Sequence, residues 1–185
     1  MKRIRGYSLL VTISILTMIS ILTACSKPQA VKTSQYNNMA LSIGIIGEAP
    51  KVSEKQVTFT KIRFSDLEKD RFDSKYDAIF ITKINLSEAS QGKYASIYKK
   101  SKIPFFFIQT EKSYVPFTEK DLTYDNAPNF NDQSYATGIL YKDNSNSNEL
   151  TTWGYGLHDD IENQANIEEV YSRIFDTISQ HILPK

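Results

Sequence analysis

The chain is poor in the groups that carry most recognisable chemistry. It has one cysteine, Cys25, two histidines, one tryptophan and seven glycines in 185 residues. With no thiol after position 25, no disulfide can staple the remaining chain internally, and thiol catalysis there is excluded. Glycine is too sparse for the usual nucleotide fingerprints. Gly44-Ile45-Ile46-Gly47 lacks the third glycine of a dinucleotide loop, and no Gly-Lys-Ser/Thr phosphate loop occurs, so no cofactor is expected. A serine-hydrolase elbow, Gly-x-Ser-x-Gly, is missing as well. Charge is balanced, with 22 basic and 21 acidic residues, which leaves no electrostatic footprint for nucleic acid.

Charge is missing most conspicuously between Gly6 and Ala24, where no ionisable carboxylate, lysine or arginine stands. Lys2, Arg3 and Arg5 precede this stretch, the layout of a secretory signal. It ends in Leu22-Thr23-Ala24-Cys25: an apolar residue, two small ones and a nucleophilic thiol that can take a diacylglyceryl group as a thioether. These four residues resemble the lipobox of bacterial lipoprotein precursors. The resemblance implies cleavage before Cys25, lipidation of Cys25 with palmitate-type acyl chains, and a mature protein held on the extracytoplasmic face of the cell membrane. The competing reading is an uncleaved anchor, because 19 residues is close to the ~20 that span a hydrocarbon core. Six Ser and Thr residues dilute its apolarity, and both readings place the rest of the chain outside.

Removing residues 1–24 leaves 161 residues with 19 basic and 21 acidic side chains, enough for one ordinary core. No run of lysines after Cys25 suggests a second grip on anionic lipid. The excess of Lys over Arg, with frequent Asn, Ile and Tyr, resembles products of AT-rich genomes such as those of many Gram-positive bacteria; the membrane implied is then the plasma membrane. Residues 25–40 are polar and read as a lipidated, flexible tether, and residues 41–185 as a single extracytoplasmic domain.

Within that domain, apolar runs at Leu41–Ile46, Ala78–Ile81 and Phe105–Ile108 read as buried strands, and Val57–Phe64 as a fourth. Ser65/Glu68 and Asn85/Glu88 match capping boxes for two helices, the second running from Leu86 to Lys102 with Lys93, Lys99, Lys100 and Lys102 toward its end. Tyr114–Gln133 has no period and reads as a long loop. Ala136–Tyr141 and Leu150–Leu157 read as an antiparallel hairpin. Asn166 and Glu169 open a final amphipathic helix whose apolar face is Ile167, Val170, Tyr171, Ile174, Phe175, Ile178 and Ile182. The expected fold is a three-layer α/β sandwich with a mixed sheet: parallel core strands, a C-terminal antiparallel hairpin and a C-terminal helix. Tyr94, Tyr98, Trp153, Tyr155 and Tyr171 could form a sugar or peptide platform, but most are better explained as strand and helix core.

Two sets of residues are candidates for function. Ligands of open α/β sheets lie beyond the carboxyl ends of the strands, which gathers Glu48, Thr82, Lys83, Gln109 and Thr110 along one edge. The segment His158-Asp159-Asp160-Ile161-Glu162 concentrates an imidazole and three carboxylates, and His158, Asp159 and Asp160 are the candidate metal ligands. The reading favoured is a membrane-anchored binding or accessory module for an extracytoplasmic protein partner at the cell surface. The alternative is an extracytoplasmic hydrolase acting on envelope material, possible metal assistance coming from the His158 segment.

Overall fold

A computed structural model describes residues 35–181 other than 70, 130–133 and 145–146. The strands are β1 (Leu41–Ile46), β2 (Val57–Lys61), β3 (Ala78–Thr82), β4 (Phe105–Ile108), β5 (Ser134–Asn144) and β6 (Ser147–Gly156). They form one sheet in the order β2-β1-β3-β4-β5-β6. The first four run parallel, and β5 and β6 are antiparallel to their neighbours. This is the expected α/β architecture: a parallel core, an antiparallel hairpin and a C-terminal helix.

The alternation of side chains along each strand builds two cores. Ile43, Ile45, Ala78, Phe80, Phe106 and Ile108 point to one face, and helix α5 (Gln164–His181) covers them with Val170, Tyr171, Ile174, Phe175 and Ile178. Phe80 lies at the centre of this layer, stacked on Phe175 at 6.3 Å between ring centroids. Ile79, Ile81, Phe105 and Phe107 point the other way. They meet four shorter helices: α1 (Phe64–Leu67), α2 (Leu86–Ala89), α3 (Gly92–Lys100) and α4 (Val115–Thr118). Each phenylalanine or isoleucine fully buried here stabilises by about 1.5–3 kcal/mol relative to exposure. Tyr94, Tyr98, Tyr155 and Tyr171 are buried and Trp153 half-buried, so the tyrosines are core residues.

Local details depart from the sequence pattern where side chains have tertiary work. The segment Leu86–Lys102 is two helices rather than one, broken at Ser90 and Gln91. The Ser90 hydroxyl oxygen accepts the Tyr124 N–H at 2.7 Å, and Gln91 is extended. Helix α1 begins at Phe64, and the Asp66 carboxylate, not Ser65, supports its start by accepting the Arg63 N–H at 2.8 Å. Asn85 precedes α2 without a side-chain cap and instead donates to Ile46 O at 3.2 Å. Helix α5 is capped by Asn163, whose Oδ1 accepts the Asn166 N–H at 2.9 Å. Asn166 turns inward and donates to the carbonyls of His158 and Ile161.

The domain also extends ahead of Leu41. Tyr36 is buried against Phe175, its hydroxyl donates to Met39 O, and Gln56 Nε2 donates to Tyr36 O at 2.8 Å. The β1–β2 connection, residues 47–56, carries no helix. It crosses the α5 face, where Gln164 donates to Lys51 O and the Ser172 hydroxyl to the buried Glu54 carboxylate at 2.6 Å. Among the described residues no helix is long and apolar enough to cross a membrane, and the Gly6–Ala24 stretch lies outside them.

Candidate functional site at the carboxyl edge of the sheet

From β1 the chain steps outward to β2 and then back across to β3 and β4, so its direction changes between β1 and β3. Such a switch point opens a crevice beyond the carboxyl ends of the two strands. Gly47 stands there with φ 124°, and a Cβ on it would come within 1.8 Å of Thr82 Oγ1. Only glycine fits both the conformation and the space. Thr82 donates to Ile46 O at 3.4 Å and accepts from Asn85 Nδ2 at 3.3 Å, tying the ends of β1 and β3 together.

At the end of β4, Gln109 takes a left-handed conformation, φ 56°. Thr110 is buried, and its hydroxyl donates to Lys112 O at 2.8 Å while accepting the Lys112 N–H at 3.1 Å. Its role is to fix the turn. Lys112 in turn reaches the carbonyls of Tyr124 and Ala127, pinning the loop after α4. Thus Thr82 and Thr110 build the edge, whereas Lys83, Gln109 and Glu48 present side chains from it.

Lys83 pairs with Glu111 at 2.9 Å; their shared hydrogen bond and mutual attraction raise the lysine and lower the carboxylate. Glu48 pairs with Lys61. Both pairs are exposed and contribute little to stability. His158 Nδ1 lies 3.1 Å from its neighbour Asp159 Oδ2. Asp159 and Asp160 both have positive φ, 51° and 55°. Among the described residues, no three His, Cys, Asp or Glu side chains are grouped to hold a metal ion.

The strand-end residues do converge. Glu48, Thr82, Lys83 and Gln109 line one cleft of about 310 Å³ together with Tyr135 and Tyr171. Lys83, Gln109 and Thr110 line an adjoining cleft of about 300 Å³, where Asp160 and Glu162 close the far side. The two candidate sets therefore meet at one edge through Asp160; His158 and Asp159 do not line either cleft. Tyr135, shared by both clefts, has its phenol pushed up by burial and then by the negative field of Glu162.

Two residues missed by sequence reasoning stand beside these clefts. Ile84 is 85 % exposed and Ile161 is 54 % exposed, two of three large hydrophobic side chains so exposed among the described residues. The available signal was an isoleucine flanked by Lys83 and Asn85, and another flanked by Asp160 and Glu162, in connections where burial is not required. No family model, curated protein or solved structure matches the chain.

Proposed function

We propose that this chain is a membrane-anchored extracytoplasmic binding or accessory module, held by lipid on Cys25 and engaging a protein partner through the carboxyl edge of its sheet. The anchor is supported by Lys2, Arg3 and Arg5, the uncharged Gly6–Ala24 stretch and the lipobox-like Leu22–Cys25; Cys25 itself lies outside the described residues. The Gram-positive plasma membrane is the site that the composition supports.

The observation that carries the binding reading is the pair of exposed isoleucines. Ile84 lines the cleft that holds Glu48, Lys83 and Gln109, and Ile161 sits between Asp160 and Glu162 of the next one. Apolar anchors beside fixed polar groups are the composition of protein interfaces, where a few buried anchors supply most of the affinity. Placing a photo-crosslinking residue at Ile84 or Ile161 in whole cells tests this. The same covalent adduct from both positions, lost when Lys83 is changed to Glu, is expected. Adducts no more frequent than at exposed Thr152 on β6 would overturn it, and a stoichiometric divalent metal in the purified protein would favour the hydrolase alternative.

A further inference from the structure

We infer that the opposite, amino edge of the sheet is a basic surface that lies against an anionic phospholipid bilayer. The inference rests on the anchor at Cys25 proposed above. Every connection leading into a parallel strand after β1 brings exposed cations to this edge: Lys55 before β2, Arg71 and Lys75 before β3, and Lys99, Lys100 and Lys102 before β4. The parallel arrangement is what collects them, since residues that precede parallel neighbours share one edge. Phe72 beside Phe105 at 6.1 Å, and the Ile79 N–H donating to Pro104 O, place the two latter approaches together. None of the six forms an ion pair among the described residues.

The acids nearby offset only part of this charge at the surface. Asp77 is buried and accepts the Ser42 N–H at 2.8 Å, and Glu54 is buried and takes the Ser172 hydroxyl. Asp73 and Asp176 are half-buried. Lys142 and Glu149 stand opposite each other in the β5–β6 register and offset one another.

The chain from Cys25 enters the domain at this same edge. Gln35 donates to Ser53 Oγ at 2.5 Å, Gln56 donates to Tyr36 O, and the Leu41 N–H donates to Gln56 O, so the tether joins beside Lys55. The ten chain steps from Cys25 to Gln35 reach at most about 35 Å. A lipid on Cys25 therefore keeps the domain within reach of the bilayer, and attraction between the cationic edge and anionic lipid turns that edge toward it, with the Ile84 cleft at the far ends of the same strands. Surface potentials decay within a Debye length of about 10 Å at 0.1 M salt, so these charges act once the tether lets the edge come within that distance. Each cation near an anionic surface strengthens partitioning about five-fold.

Full-length protein, with lipid on Cys25 verified by mass, is reconstituted into vesicles of phosphatidylcholine alone or mixed with phosphatidylglycerol. Ser74→Cys on the amino edge or Ala49→Cys on the carboxyl edge supplies the only free thiol for a dye, and energy transfer to a lipid dye reports its height. In phosphatidylglycerol vesicles the dye at position 74 should lie closer to the bilayer than the dye at 49. That difference should collapse in phosphatidylcholine, in about 1 M salt where screening shortens to about 3 Å, and in the combined Lys75→Gln, Lys99→Gln, Lys100→Gln, Lys102→Gln variant. Equal transfer from both positions, or a difference that survives salt and the four substitutions, overturns the inference. If mass shows no lipid, the anchor reading fails separately. Co-sedimentation of the free chain then still decides the basic edge: binding to phosphatidylglycerol vesicles, weakened about five-fold per lysine removed, supports it, and no binding refutes it.

Discussion

Replacing Gly47 with alanine should destabilise the domain for two separable reasons. The first is conformational: φ 124° at Gly47 is a backbone state that an L-residue adopts only under strain of about 1–3 kcal/mol. The second is steric, because the new Cβ would lie 1.8 Å from Thr82 Oγ1 and 2.9 Å from Thr82 Cβ, and relief by moving β1 away from β3 costs about 1–3 kcal/mol more. The expected loss is about 2–6 kcal/mol, a large part of the ~5–15 kcal/mol that holds a domain of this size. In urea this moves the unfolding midpoint down by roughly 1–3 M with little change in slope. The two causes part in a double-mutant cycle with Thr82→Ala, which removes the oxygen at 1.8 Å and two long hydrogen bonds, 3.4 Å to Ile46 O and 3.3 Å from Asn85 Nδ2. Gly47→Ala should cost about 1–2 kcal/mol less in that background. An unchanged midpoint for Gly47→Ala, or the same loss in both backgrounds, would refute the contact between the ends of β1 and β3 on which the crevice depends.

Ile174 and Ile178 are fully buried one turn apart on α5, so aspartate at either should destabilise by at least about 3 kcal/mol; thermal unfolding unchanged in both variants would show the face to be exposed. The Tyr155 hydroxyl donates to Thr177 Oγ1 at 2.7 Å, and burial pushes its pKa up to about 12, whereas the unfolded tyrosine ionises near 10. Stability from this group is therefore complete below pH 10 and falls by about 2–3 kcal/mol as pH rises to 12. Urea titrations across that window should show the fall in the wild type and a shallower one in Tyr155→Phe, and equal slopes would contradict the burial.

How far the sequence revealed this molecule depended on how local each determinant was. The runs Leu41–Ile46, Ala78–Ile81 and Phe105–Ile108 are apolar at every position or nearly so, which only a sheet covered on both faces requires, and the 3.6-residue spacing of α5 gave its buried stripe directly. Helix ends were less legible. Asn163 and Asn166 are chemically alike, and their roles part only because Asn166 meets the carbonyls of His158 and Ile161. Tyr36 read as tether because its partners, Gln56 and Phe175, are far along the chain. The strand-end residues were legible through the rule for open sheets, since Glu48, Thr82, Lys83 and Gln109 follow their strands directly. Ile84 and Ile161 were not, because exposure of an apolar side chain leaves no periodic trace. The basic amino edge was hidden for a different reason. Lys99, Lys100 and Lys102 were visible together but read as helix-end charges, and only the parallel strand order brings Lys55, Arg71 and Lys75 to the same side.

The claim on which localisation and orientation both depend is the anchor, and the covalent state of Cys25 tests it most directly. Protein taken from the membrane fraction and measured as an intact mass should lack residues 1–24, carry a diacylglyceryl group on Cys25 and partition into detergent. Cys25→Ser keeps size and polarity but removes the nucleophilic sulfur, so that variant should show no lipid mass and either keep its uncleaved leader or leave the membrane fraction. Wild-type protein that retains Met1 and carries no lipid would contradict the account, and the uncharged Gly6–Ala24 stretch would then be read as a spanning anchor.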